Sequence, residues 1–287
     1  MSRVEVRKTH KLFIGGAFPR SESGRTYEVT DANGHFIANV AQASRKDARD
    51  AVLAARAAFA KWSTTTAYNR GQVLYRIAEV MEGRRDQFIA EIEQGEGVST
   101  KKATHQLDAS IDRWVWYAGW ADKYAQVLGT SNPGAGPFFD FSIPEPTGVV
   151  AAVAPQDHCL LGLTSVVAPI IVAGNACVVM PSPSHPIPAI TLAECLATSD
   201  VPGGVVNVLT GAPAEVMPWL AEHADVNALD LTGIVDESVA AELENQAAGT
   251  VKRVRRPKPQ ADWSATPTLS RIRHFTEIKT VWHPLGT

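Results

Sequence analysis

The sequence has few cysteines, no long apolar run and no excess of basic charge, and each shortage excludes a class of protein. Its three cysteines, Cys159, Cys177 and Cys195, lie in apolar stretches and lack the spacing of a disulfide framework or a metal site. No window approaches the roughly 18 apolar residues of a membrane span, and residues 1–8 lack the apolar core of a secretion signal. We therefore expect a soluble, cytoplasmic protein without disulfides, metal or membrane contact.

Basic charge is also short, since 27 Lys and Arg residues stand against 30 Asp and Glu residues, for a formal net charge of −3. Such a chain offers no positive field for a phosphate backbone, so nucleic acid is not expected as a partner. A basic run at residues 252–258 is the exception. Beside prolines, such a run is more typical of a solvated linker than of an anion-binding surface.

The first half of the chain carries two kinds of pattern. Residues 12–40 alternate apolar and polar side chains around Gly-containing turns, which predicts short strands. Helical spacing of apolar residues begins at Ser44 and continues through two amphipathic helices. Ser99 and Thr100 predict the start of a long third helix that ends at Gly129.

Strands and helices alternate in the second half. The strands are predicted at 149–153, 176–180, 205–209, 228–231 and 250–254, each with a helix between it and the next. Their near-continuous apolar character is typical of strands buried on both faces. The predicted fold is therefore α/β, a doubly wound, Rossmann-like parallel sheet with N-terminal helices. Residues 255–267 read as a linker, and residues 272–282 as a last strand.

Several motifs occur in the order of one known family. They are Pro146-Thr147-Gly148-Val149-Val150, Pro155-Gln156-Asp157, Ala173-Gly174-Asn175-Ala176, Met180-Pro181-Ser182-Pro183, Pro202-Gly203-Gly204, Leu231-Thr232-Gly233 and the tail 274–282. Each is weak alone, but in this order they make the chain resemble the aldehyde dehydrogenase superfamily. The resemblance implies a nucleotide-binding domain over 1–254, including a β and helical region at 1–145. It also implies a linker at 255–267 in place of the catalytic domain and an oligomerisation strand in the tail 268–287.

The resemblance leaves the catalytic chemistry without its usual groups. The family's nucleophilic cysteine belongs to the catalytic domain, for which the linker has no room, and a thiolate is needed to attack the aldehyde carbonyl. Cys159 is the best remaining candidate because it follows His158 at the end of a strand, whereas Cys177 and Cys195 read as core residues. Asp157 stands where the family has an oxyanion-stabilising asparagine, and its carboxylate would repel an oxyanion.

The cofactor-binding groups are similarly reduced. By resemblance, Pro155, Met180, Ser182, Thr232 and Gly233 occupy cofactor-binding positions. Met180 and Pro183 replace the charged residues that hold the ribose in the family, while Ile234 and Ser238 replace a hydroxyl and a glycine near the pyrophosphate. We therefore expect NAD(P) to bind weakly or not at all.

These observations favour a non-catalytic subunit that forms a homo-oligomer or, more readily, associates with a full-length aldehyde dehydrogenase as a structural or regulatory partner. Two alternatives stay open from the sequence. One is an active NAD(P)-dependent aldehyde oxidoreductase that uses an atypical nucleophile such as Cys159. The other is a stand-alone nucleotide-binding module.

Overall fold

The computed structural model describes residues 8–257 and 261–286. It begins with a small three-stranded sheet of β1 (Thr9–His10), β2 (Thr26–Thr30) and β3 (Phe36–Ala41), in the order β1-β3-β2. Four longer helices and one short helix follow: α1 (Arg45–Trp62), α2 (Ala67–Glu82), α3 (Arg85–Glu96), α4 (Thr100–Trp120) and α5 (Tyr124–Leu128). Ser44 forms a capping box with Asp47, which fixes the start of α1 as the sequence predicts.

The second half forms a five-stranded parallel sheet with alternating helices. Its elements are β6 (Val149–Val153), α6 (Cys159–Val172), β7 (Ala176–Met180), α7 (Ile187–Ala197), β8 (Val206–Val208), α8 (Pro213–Glu222), β9 (Ala228–Asp230), α9 (Glu237–Ala248) and β10 (Arg253–Arg255). The strand order is β10-β9-β6-β7-β8, so the winding reverses at β6. This confirms the predicted doubly wound sheet.

The two faces of the sheet are buried against different helices. Val150 and Ala152 of β6 join a cluster with side chains of α2, α4, α6 and α7. Val149 and Val153 point the other way and pack with α1, α8 and α9. Because side chains alternate along a strand, one apolar run serves both clusters. None of the helices in the described part of the chain combines the length and apolarity needed to cross a membrane.

A third sheet of three strands is formed by the tail and the segment before β6. It contains β4 (Thr130–Asn132), β5 (Phe138–Pro146) and β11 (Thr276–Pro284), in the order β11-β5-β4. All nine residues of β11 pair antiparallel with β5, from Thr276 opposite Pro146 to Pro284 opposite Phe138. One edge of the tail strand is thus paired within the chain, and its other edge has no strand beside it among the described residues.

The structure corrects the predicted start of the tail strand. Residues 272–274 belong to a short helix, α10 (Ser270–His274), and not to a strand. Ile272 and Phe275 are fully buried and belong to the core cluster that includes α6, and α10 itself packs on α6. These two buried side chains therefore anchor the chain to the domain before β11 begins.

The predicted third helix is also shorter than expected. It ends at Trp120, a separate short α5 follows, and Gly129 is the C-terminal cap of α5. Ser99 is the N-cap residue of α4, but its side chain makes no capping hydrogen bond. Helix α3 was not predicted, because its sequence mixes charged residues with only a few apolar ones.

Candidate functional site

A groove lies where the winding of the sheet reverses, at the carboxyl ends of β6 and β9. Loops that leave neighbouring strands in opposite directions open a crevice there, which is the usual ligand position in this class of sheet. The groove has a volume of about 490 Å³. Its lining comprises Pro155, Gln156, Asp157, Thr232, Gly233, Ile234, Val235, Glu237, Ala240, Arg256, Pro257, Ala261 and Trp263.

The structure brings together some of the predicted site residues and separates others. Pro155, Asp157, Thr232 and Gly233 line the groove. Met180 and Ser182 are fully buried, with Met180 packed in the cluster beneath α1. The Ser182 hydroxyl has no hydrogen-bond partner in the part of the chain that the structure describes. Neither side chain is therefore available to a ribose from the groove.

Gly233 is required by the packing of its own backbone. Its N–H donates to the Val153 carbonyl at 2.9 Å, which continues the sheet beyond the end of β9. A Cβ at this position would lie 1.9 Å from the Ala154 carbonyl oxygen, so only glycine fits. This close approach explains Gly233 without a ligand.

The Thr232 hydroxyl is engaged by neighbouring side chains. It donates to the carboxylate of Asp230 and accepts from Arg271 Nη2 at 3.1 Å. Arg271 also pairs with Asp230 at 2.7 Å, and the Asp230 side chain is fully buried. The polar groups of this turn therefore satisfy one another within the protein.

The N-terminus of α9, which faces the groove, is occupied by an internal carboxylate. Asp236 accepts hydrogen bonds from the Ser238 N–H at 2.8 Å and from the Ser238 hydroxyl at 2.6 Å. These hydrogen bonds lower the pKa of Asp236 and keep it ionised. Glu237 adds a second negative charge in the first turn. Arg256, the arginine lining the groove, is paired with Glu244 at 2.7 Å.

Cys159 is the first residue of α6, and its side chain is only 2% exposed. Burial raises the pKa of the Cys159 thiol well above its ordinary value, and the nearby carboxylate of Glu96 raises it further. A thiol in these surroundings stays protonated and is a poor nucleophile. His158 is exposed and adopts a left-handed backbone conformation with φ 54° at the N-cap.

The N-terminus of α6 is filled by two side chains that the sequence analysis missed. Glu96 Oε1 accepts from the Cys159 N–H at 2.7 Å, and Gln106 Oε1 accepts from the Leu160 N–H at 3.1 Å. Gln106 Nε2 in turn donates to Glu96 at 2.9 Å. The first free N–H groups of a helix are an anion site, and here the protein supplies the anion itself. Only the polar character of Gln106 at an otherwise apolar helix position signals this role.

Together these features do not fit the pyrophosphate and ribose of NAD(P). The helix N-terminus at the groove carries Asp236 and Glu237, and the hydroxyl of Thr232 is already bonded to Asp230. Ser182 lies out of reach inside the core. Asp157, near the end of the loop between β6 and α6, is exposed and adds another negative charge to the lining.

Comparison with known proteins gives the family of the chain. A family profile described as "Aldehyde dehydrogenase family" matches residues 18–256, which is most of the chain. The chain belongs to the aldehyde dehydrogenase family. This confirms the resemblance carried by the sequence motifs.

Individual aldehyde dehydrogenase relatives agree with this assignment. The cytosolic 10-formyltetrahydrofolate dehydrogenase of Pongo abelii is 34% identical over 242 residues, which cover 81% of this chain and 26% of the relative. The Xenopus tropicalis protein of the same name is 31% identical over 260 residues, 88% of this chain and 29% of the relative. The chain thus spans between a quarter and a third of the length of these relatives.

Solved structures of aldehyde dehydrogenases with bound NAD⁺ show the same fold. Betaine aldehyde dehydrogenase from Staphylococcus aureus in complex with NAD⁺ superimposes with a TM-score of 0.80 at 26% identity, over 85% of this chain and 48% of that chain. The NAD⁺ complex of an aldehyde dehydrogenase from Bacillus cereus gives a TM-score of 0.81 at 25% identity, over 86% and 50%. This chain spans about half of either aldehyde dehydrogenase.

Proposed function

We propose that this chain is a non-catalytic aldehyde dehydrogenase-like subunit that associates with a full-length aldehyde dehydrogenase. The observation that carries the proposal is the path of the chain after the parallel sheet. Between β10 and α10 the chain has 14 residues, 256–269, and β11 then pairs along its whole length with β5. The family resemblance places the domain with the nucleophilic cysteine in this interval, and 14 residues are too few to form a domain.

The remaining groups support the absence of aldehyde oxidation. Cys159 is buried and its pKa is raised, so its thiol is not prepared for attack on a carbonyl carbon. Asp157 presents a carboxylate where an oxyanion requires a hydrogen-bond donor. The N–H groups at the start of α6 already donate to Glu96 and Gln106.

The same reasoning supports weak binding of NAD(P). Hydrogen bonds to charged groups contribute about 1.5–3 kcal/mol each, so the loss of two of them reduces affinity by orders of magnitude. At the start of α9, Asp236 and the groove-lining Glu237 also repel a pyrophosphate. We expect a dissociation constant in the millimolar range or weaker.

The partner surface in this proposal is the sheet of β4, β5 and β11. Its apolar side chains are unusually exposed: Phe138, Phe139, Ile143, Ile278 and Trp282 are between 39% and 57% accessible. The outer edge of β11 is unpaired among the described residues, and an exposed edge with apolar neighbours invites another chain. A partner dehydrogenase, or a second copy of this chain, would cover both. The cytoplasm is the expected compartment.

An activity assay tests the catalytic part of the proposal. We expect the purified chain to produce no NADH or NADPH from short, long or aromatic aldehydes, and calorimetry to show no low-micromolar binding of NAD⁺. Aldehyde turnover that disappears in Cys159→Ala would contradict the proposal and establish the oxidoreductase alternative. Tight NAD⁺ binding without turnover would instead establish the nucleotide-binding module.

A further inference from the structure

A second, smaller pocket lies beside the groove, where the segment after β10 covers α4 and α6. Its volume is about 130 Å³, which suits a small ion and is far less than the groove offers. Arg113, Tyr117, Ser165 and Arg271 line it, together with one carboxylate, Asp262, and the hydroxyl-bearing residues of the covering segment. None of the residues assigned to the cofactor by resemblance lines this pocket.

Arg113 carries a buried charge that no carboxylate in the described residues pairs with directly, although Asp262 acts on it through space. Its side chain is 7% exposed, and its terminal nitrogens donate to the Ser165 hydroxyl and to the carbonyls of Trp263 and Ala265, the latter two at 2.8 Å. These acceptors are all neutral. The Nε of Arg113 has no hydrogen-bond partner, and no carboxylate in the described residues forms an ion pair with Arg113.

The surroundings add further positive charge. Arg271 and the half-buried Arg255 lie near one another. The carboxylate beside both is Asp230, which is fully buried. Three guanidinium groups and one carboxylate leave two positive charges in excess, and the exposed Asp262 offsets at most one. Burial lowers the pKa of Arg113 and the charge of Arg271 lowers it further, while the carboxylate of Asp262 partly opposes this shift. An uncompensated charge away from water is costly unless a counter-ion joins it.

We propose that this pocket is a binding site for one small oxyanion, such as phosphate or a simple carboxylate, held by Arg113 and Arg271. The guanidinium groups of Arg113 and Arg271 at its wall supply the charge that oxyanions prefer, and the hydroxyls of Thr266, Thr268 and Ser270 on the covering segment can donate hydrogen bonds. The pocket volume excludes a dinucleotide. Since Trp263 and Ala265 already bind Arg113, an anion here would hold residues 262–271 against the domain. This site is independent of the proposed function.

The test uses the full chain and three probes: inorganic phosphate, sulfate and acetate, each titrated against chloride at constant ionic strength. Calorimetry measures binding, and tryptophan fluorescence reports the site, because Trp263 stacks 5.4 Å from the Arg271 guanidinium. We expect saturable binding of at least one probe with a matching fluorescence change. Preference for phosphate and sulfate over acetate identifies a tetrahedral anion, and the reverse identifies a carboxylate.

Arg113→Gln is expected to weaken binding at least tenfold, whereas Arg256→Gln, in the neighbouring groove, is the matched control and leaves it unchanged. If Arg113→Gln fails to fold, Arg113→Lys retains the charge but loses the guanidinium fork, and the same loss is expected. The proposal is overturned by the absence of saturable binding of all three probes up to tens of millimolar. Binding that persists unchanged in the folded Arg113 variants overturns it equally.

Discussion

Cys159 lies at the strand end where a ligand would be expected, yet its surroundings suppress thiol chemistry. Its side chain is 2% exposed, and a carboxylate from Glu96 lies beside it. Cys177 and Cys195 are buried as well, and burial raises the pKa of Cys177 to about 12 and that of Cys195 to about 11. The sequence predicted that Cys159 follows a strand end. It did not predict that the carboxylate of Glu96, 63 residues earlier in the chain, would lie beside the thiol.

We therefore predict that none of the three thiols reacts quickly with a thiol-specific reagent in the native protein at neutral pH. Full reaction of all three is expected only in denaturant, because thiolate formation requires exposure. A disulfide reagent followed by absorbance measures both states, and Cys159→Ser assigns any fast phase. A rapid native phase that Cys159→Ser removes would restore Cys159 as a candidate nucleophile.

Gly233 occupies a cofactor-binding position by family resemblance, but the structure explains it by packing. We predict that Gly233→Ala destabilises the protein by about 2–3 kcal/mol, because its Cβ would meet the Ala154 carbonyl oxygen at 1.9 Å. Gly119→Ala is the matched control, since nothing lies within 4 Å of a Cβ there and alanine favours its helix, α4. Chemical denaturation measures both. Equal stability of the Gly233→Ala and wild-type proteins would refute the packing role.

At the scale of elements, the parallel sheet was the most predictable feature. Strands such as Val149–Val153 and Ala176–Met180 are apolar throughout because helices cover both faces, and that composition is visible in the sequence. The helix Arg85–Glu96 was missed because only Phe88, Ile92 and Gly95 are buried in it. Residues 272–274 were mistaken for strand because Ile272 and Phe275 were read together with the apolar residues of the strand that follows, and so short a run does not define a period.

The start of α6 depends on side chains from two other helices, an arrangement that local sequence does not reveal. We predict that Glu96→Ala lowers the free energy of unfolding by about 1–3 kcal/mol, because the Cys159 N–H loses its acceptor. Glu96→Gln keeps an acceptor and is expected to lose less. Glu79→Ala, which removes only an exposed pair with Arg76, should change stability by less than about 1 kcal/mol. Equal effects of the Glu96→Ala and Glu79→Ala substitutions in urea denaturation would show that the cap contributes nothing.

At the scale of the whole molecule, the chain combines a well-packed Rossmann-like α/β domain with an exposed sheet. The domain buries Phe275 at the entrance to the tail, so removal of residues 268–287 would damage the core together with the proposed interface. Substitutions on β11 itself separate the two effects. Ile278 and Trp282 are 53% and 57% exposed, so a lysine at either position leaves the domain intact.

The most direct test is therefore the mass of the assembly by light scattering, alone and after co-expression with a full-length aldehyde dehydrogenase of the same organism. We predict an assembly larger than one chain that is lost in the double variant Ile278→Lys, Trp282→Lys and kept in Val251→Lys. Val251 is the matched control because it is 91% exposed and lies outside the sheet of β4, β5 and β11. A wild-type protein that stays monomeric at every concentration, with or without the dehydrogenase, would contradict the account.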